Sequence, residues 1–205
     1  MLYACKTFSS LEGNMNKRVA VLVSGGGTNL KALIDARSNG IIKSAKIVLV
    51  ISNNKNAYAL ERAKNADILN MVIPNKEEDR LIEVLKEQKI DIIVLAGYLA
   101  ILSERFTNTF AGKVINVHPS LIPSFCGKGY YGLKVHEKAL EYGVKITGAT
   151  VHFVNEIPDG GKIILQKAVE VKEDDTPESL QKRVMEEAEW IILPKAVEMI
   201  AKENL

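Results

Sequence analysis

The run Val114-Ile115-Asn116-Val117-His118 is apolar except for an amide and an imidazole two residues apart. Alternate side chains of a strand share a face, so Asn116 and His118 point the same way. Buried strands of α/β proteins are mostly apolar on both faces, and a polar pair there is costly unless it bonds something. Pro119 follows and ends the strand, so the pair sits at its C-terminal end, where open α/β sheets hold their ligands. An amide donor beside a group that gains and loses protons near neutral pH is equipment for hydrogen bonding and proton transfer. Asn116 and His118 are the first candidates for catalysis.

A second constellation is Ser24-Gly25-Gly26-Gly27-Thr28-Asn29, after the apolar run Val19–Val23 and before Leu30, Leu33 and Ile34 at helical spacing. Glycines let backbone approach a ligand, and the free N–H groups of a helix start favour anions. Leu30 occupies the place of the third glycine of a dinucleotide fingerprint, and no acidic residue ends the second strand at Ser52-Asn53-Asn54, which disfavours a dinucleotide. No Gly-Lys-Ser/Thr is present, which disfavours a nucleoside triphosphate. A single phosphate on a small substrate fits better, held by Gly27, Thr28 and Asn29. The plainer alternative is a tight turn with a helix cap.

Other polar residues are less decisive. Asp159 lies in Pro158-Asp159-Gly160-Gly161 and taken alone reads as a turn aspartate. His152, in Val151-His152-Phe153-Val154, suits core or site equally. His136, one residue before Glu137 on an expected helix, reads as solvated. Three histidines so dispersed lack metal-ligand spacing, and no metal is expected. Cys126 reads as a loop thiol.

The elements that must position these residues alternate. Strands are expected at Val19–Val23, Ile47–Ile51, Ile68–Val72, Ile92–Ala96 and Val114–His118, with helices at 30–38, 57–65 and around Leu81–Lys86. This succession argues for a mostly parallel sheet with helices on both faces. Pro119–Gly132 is a long loop, Leu133–Tyr142 a helix, and Ile146–Val154 and Ile163–Val171 an antiparallel pair joined by 155–161. A last helix spans about Pro177–Lys202, with Pro194 as its expected interruption. The 205 residues, 47% hydrophobic, suffice for one domain with a sizeable core. Residues 1–16 read as a disordered extension and 17–205 as the domain. A net charge of +2 without a basic aromatic stripe argues against nucleic-acid binding. No apolar run reaches the roughly 18 residues of a membrane span. Two distant cysteines favour a reducing cytoplasm.

Taken together, Ser24–Asn29, Asp91–Gly97, Ile115-Asn-Val-His-Pro-Ser-Leu-Ile-Pro123, Val151–Val154, and Asp159-Gly-Gly with Ile164-Leu-Gln166 resemble the folate-dependent formyltransferases, in their glycinamide ribonucleotide branch. The resemblance covers Lys17 to the C-terminus. It implies a single Rossmann-like domain that transfers a formyl group from 10-formyltetrahydrofolate to the amine of 5-phosphoribosylglycinamide in purine synthesis. It implies Asn116, His118 and Asp159 as catalytic residues, and Gly27, Thr28 and Asn29 at the substrate phosphate. Glu189 and Pro119 would contact the same substrate. The folate would meet Leu95, Leu99, Ala100, Ile101, Leu102, Asn116 and the segment Asn155, Glu156, Ile157, Pro158 and Asp159. Lys76 is the nearest match to a basic residue at the folate tail, and Trp190 stands where many members have His. Asn116 and a protonated His118 would stabilise the formyl oxyanion, with Asp159 supporting the imidazolium. The resemblance implies a cytoplasmic monomer or homodimer with no metal and no nucleic-acid or membrane partner. Formyltetrahydrofolate deformylase, methionyl-tRNA formyltransferase and a non-catalytic folate-binding module are the alternatives.

Overall fold

The apolar run near the N-terminus forms β1 (Lys17–Val23), in which Val19 to Val23 are fully buried. The computed structural model describes residues 16–203; the extension expected over 1–16 lies, but for Asn16, outside the described residues. From β1 the chain passes through α1 (Thr28–Ser38), β2 (Ala45–Ser52), α2 (Tyr58–Asn65) and β3 (Leu69–Val72). It continues with α3 (Glu78–Glu87), β4 (Ile92–Leu95), α4 (Glu104–Thr109), β5 (Val114–His118), α5 (Leu133–Tyr142), β6 (Ile146–Phe153) and β7 (Ile163–Glu170). The seven strands lie in the order β3-β2-β1-β4-β5-β6-β7. The first five are parallel, while β6 runs against β5 and β7 against β6. The expected architecture, a mostly parallel sheet with an antiparallel pair in the C-terminal half, is the observed one.

The period-two pattern decides which face each residue serves. Val19, Val21 and Val23 enter one apolar cluster with Leu30 and Leu33 of α1 and, from the C-terminal helix, Leu193 and Val197. Ala20 and Leu22 enter the opposite cluster with Leu81, Ile82 and Leu85 of α3 and Phe106 of α4. Each such fully buried Val, Leu or Phe stabilises the fold by roughly 1.5–3 kcal/mol before entropy is counted. β1 therefore needs apolar residues at every position from Val19 to Val23.

The chain leaves β1 in one direction toward β2 and β3, then returns to its other side at β4. This reversal opens a crevice beyond the C-terminal ends of β1, β4 and β5. Ser24 ties two of its loops together: its N–H donates to Gly97 O at 3.1 Å, and its hydroxyl accepts from Leu99 N–H at 2.9 Å.

Two elements escape the sequence pattern. α4 has six residues, too few for a period to register, and Ser103 caps it by accepting from Phe106 N–H. The last helix is broken, but not by Pro194. It consists of α6 (Pro177–Val184), a π-helical turn Met185–Glu189, and α7 (Trp190–Lys202), which contains Pro194. The π turn shifts the hydrogen-bond register one turn before Pro194, which has no N–H to give.

Candidate active site

Gly27 precedes α1 with φ 70°, and a Cβ there would lie 2.6 Å from Ala59 Cβ. Only glycine permits this conformation with α2 packed so close. No side chain caps α1, so its first N–H groups remain available to an anion. Thr28 is exposed beside them, with its hydroxyl 3.8 Å from Met185 Sδ. Asn29 is turned inward instead: it is buried, and its Nδ2 donates to Glu189 Oε2 at 2.6 Å. The side-chain donors expected at a phosphate thus reduce to Thr28, with Asn29 holding Glu189. Burial pushes the Glu189 carboxyl up to about 7, against the opposing effect of the Asn29 bond. The π turn presents both Met185 and Glu189 to this loop, and π turns frequently mark functional positions.

β5 and the β6–β7 turn meet at the other residues. Asp159 has φ 56°, and its carboxylate turns back from the hairpin to four groups. Oδ2 accepts from Gly127 N–H at 2.8 Å and lies 3.5 Å from His118 Nδ1. Oδ1 lies 3.5 Å from Asn116 Nδ2 and 3.5 Å from His152 Nε2. Asn116, His118 and Asp159 are thus brought together, joined by His152. Burial raises the Asp159 carboxyl, but the neighbouring His152 and His118 rings and the Gly127 N–H together outweigh it, so the net shift is downward.

His118 departs from the expected imidazolium. Burial lowers its pKa below 6.5, and Asp159 and the Phe125 carbonyl recover only part of that shift. At neutral pH the ring is uncharged. Its Nε2 lies 2.8 Å from Phe125 O, and a carbonyl only accepts, so the proton sits on Nε2 and Nδ1 keeps its lone pair. The loop Pro119–Gly132 supplies both Phe125 O and Gly127 N–H, which brace His118 and Asp159.

A cavity of about 660 Å³ opens on one side of this cluster, lined by Gly97, Leu99, His118, Pro119, Lys128 and the tyrosines 130 and 131. A narrower slot on the other side is lined by Leu95, Leu102, Thr107, His152, Val154 and the segment Asn155–Ile157. Asn116, Asp159, Tyr98, Ala100, Ile101 and Pro158 border both. Of the residues expected in the slot, Leu99 lines the larger cavity instead. Lys76 lines neither, standing on the 3₁₀ turn Asn75–Glu77 next to a recess formed by Pro74, Asn75 and Glu78. Glu189 lines neither and faces the Gly-rich loop from the π turn, held by Asn29. Tyr98, Thr107, Val154 and Lys128 were not legible as site residues, because loop composition alone does not say which side chains face inward. Among the described residues no group of His, Cys, Asp and Glu is arranged to hold a metal ion, and no helix is long and apolar enough to cross a membrane.

His136 corrects another expectation. It is fully buried on α5, and neither ring nitrogen has a hydrogen-bond partner. Burial, followed by the nearby His118, lowers its pKa to about 4. Below pH 6.5 the unfolded chain takes a proton that the folded one refuses. Stability is therefore complete above pH 6.5 and falls as pH drops toward 4, by about 3 kcal/mol in all. His136→Leu removes two unsatisfied polar atoms at similar volume and should stabilise the protein by about 1–3 kcal/mol at pH 7. It should also flatten this acid limb. Urea unfolding at pH 7 and pH 5 checks both; a less stable variant at both pH values would contradict the burial argument.

Comparison with known proteins gives a consistent result. The family model described as formyl transferase matches residues 17–197. A phosphoribosylglycinamide formyltransferase of Haemophilus influenzae is 43% identical over 196 residues, covering 92% of this chain and 89% of that protein. The crystal structure of phosphoribosylglycinamide formyltransferase from Anaplasma phagocytophilum superposes with TM-score 0.84 at 41% identity, covering 92% of this chain and 89% of that one. Glycinamide ribonucleotide transformylase 1 from Symbiobacterium toebii superposes with TM-score 0.86 at 38% identity, covering 95% and 91%.

Proposed function

The chain belongs to the formyl transferase family, among the phosphoribosylglycinamide formyltransferases, and from that premise we propose that it carries the formyl group of 10-formyltetrahydrofolate to the amine of 5-phosphoribosylglycinamide. The observation that carries the reading is the position of Asn116 and Asp159 in the wall shared by two cavities. A transfer between two substrates needs its reacting atoms at such a boundary.

The narrower slot, walled by Leu95, Leu102 and Val154 beside the segment 155–158, suits a flat heteroaromatic ring, and we assign it to the folate. The larger cavity, with Pro119, is assigned to the phosphorylated amine. The phosphate would lie at Gly27, Thr28 and the N–H groups of α1, with Glu189 nearby and Asn29 holding its carboxyl. The amine attacks the formyl carbon, whose oxygen gains negative charge as the new C–N bond forms. Asn116 donates an amide N–H to that oxygen, and such donors act strongly where water is excluded. His118 rests neutral, so its Nδ1 takes the proton that the amine loses. Asp159 stabilises the resulting imidazolium across the 3.5 Å gap. His118 then returns the proton to N10 as the old C–N bond breaks, so proton and charge balance without a covalent enzyme intermediate.

The test mixes protein with 10-formyltetrahydrofolate, with and without 5-phosphoribosylglycinamide, and follows loss of the formyl donor by absorbance. The reading requires turnover only with the amine present. Formate release without it would replace the reading by a deformylase, and folate binding without turnover by a binding module.

A further inference from the structure

We propose that His152 is a positioning residue for Asn116: an uncharged imidazole with its proton on Nδ1, it takes one amide proton of Asn116 and thereby aims the other at the reacting oxygen. The inference rests on the reading of Asn116 as oxyanion donor.

Three observations fix the arrangement. Asn116 and His152 are direct partners across the antiparallel β5–β6 ladder, so their side chains stand together on one face. The sheet is irregular here, with the β6–β7 register shifting between Val151 and His152, and irregular pairing re-aims side chains. His152 is buried, and although its Nε2 also lies 3.5 Å from Asp159 Oδ1, two closer polar contacts specify its tautomer. Nδ1 lies 2.8 Å from Phe153 O, and a carbonyl only accepts, so Nδ1 carries hydrogen. Nε2 lies 3.2 Å from Asn116 Nδ2, and an amide nitrogen only donates, so Nε2 offers its lone pair.

Asp159 removes the alternative. Turning the Asn116 amide over would place its oxygen near the carboxylate oxygen that now lies 3.5 Å from Nδ2. Like partial charges would then face each other. With the amide as it stands, one hydrogen is held by His152 and the other meets Asp159 only at long range. That second hydrogen is the one free to move to an oxygen gaining charge. An imidazolium at position 152 would oppose the amide N–H₂ and pair with Asp159, turning the amide away. The backbone carbonyl of Phe153 therefore reaches the reaction centre through His152, by fixing which ring nitrogen can accept. Tautomers held in this way orient neighbours as well as metals.

Two measurements test the proposal. In ¹⁵N NMR of the wild-type protein at pH 7, His152 should show a protonated Nδ1 and an unprotonated Nε2; an Nε2–H tautomer or an imidazolium overturns it. In kinetics, His152→Leu, which lacks an acceptor, should lower kcat about tenfold or more, the worth of one lost hydrogen bond, with KM for the folate nearly unchanged. His152→Gln, whose carbonyl can accept from Asn116, should recover most of that loss, and His152→Leu should cost little more on top of Asn116→Ala. Unchanged kcat in His152→Leu, or an equal loss in His152→Gln, overturns the proposal. Should His152→Leu fail to fold, the NMR tautomer decides. Wild-type turnover in Asn116→Ala would instead overturn the underlying reading of Asn116.

Discussion

Asn116→Ala will lower kcat by about two to three orders of magnitude, the usual cost of removing one oxyanion donor, while KM for both substrates changes little. In the proposed mechanism this interaction is made in the transition state and not in the ground state, so the loss should fall on kcat and kcat/KM alike. Asn116 is the middle residue of β5 but is only partly buried, so its truncation should leave the thermal midpoint near wild type. His118→Ala should fall at least as far, since it removes the proton carrier. The pH profile separates this role from a permanent imidazolium. Burial holds the His118 pKa below 6.5, so the base form predominates above that value and is lost as pH falls through the lowered pKa. Turnover should therefore decline on the acid side, and the part of that decline due to His118 should be absent in the residual activity of His118→Ala. Turnover that rises as His118 becomes protonated would contradict the assignment.

Gly161→Ala will destabilise the protein by about 4 kcal/mol or more, at the upper end for a single substitution. A Cβ at Gly161 would lie 1.7 Å from Phe153 O and 2.7 Å from Phe153 C. Both contacts are to backbone, which cannot swing aside as a side chain would. At the same point Phe153 N–H donates to Lys162 O at 2.9 Å, closing the hairpin that carries Asp159. Opening that closure moves Asp159 off His118 and the Phe153 carbonyl off His152, so the folded fraction should also lose turnover. Gly25→Ala is the control for stability, because a Cβ there meets nothing within 4 Å. Urea titration of both variants reads the difference; equal stability would show that the hairpin yields more easily than its backbone contacts imply.

Local pattern made most of the sheet legible, because every strand of the parallel half carries apolar residues on both faces and each is bounded by turn residues. Asn116 and His118 were visible for the same reason, as polar residues where the period demanded apolar ones. Local pattern showed Asp159 as a turn residue, and the family resemblance alone gave it a catalytic role; its reach to His118 depends on the antiparallel placement of β6, which local pattern does not encode. His136 misled because Glu137 follows it, although Val135, His136 and Ala139 form the buried stripe of α5. The helical spacing was there, but a histidine without partners is a costly occupant of such a stripe, and composition argues against it. The inward turn of Asn29 was not legible, since Glu189 is 160 residues away and faces it through a π turn that leaves no sequence period. Phe125 and Gly127 act through backbone atoms, so no side-chain motif announces them.

The central claim is direct transfer across the wall formed by Asn116, His118 and Asp159. A rapid-quench single turnover with a formyl-labelled tetrahydrofolate donor, enzyme in excess and 5-phosphoribosylglycinamide present, tests it most directly. The predicted result is label passing from the folate to the glycinamide nitrogen in one phase, with no labelled protein at any time and a rate about a hundredfold or more lower in Asn116→Ala. Label appearing as free formate, or passing through the protein, would contradict it.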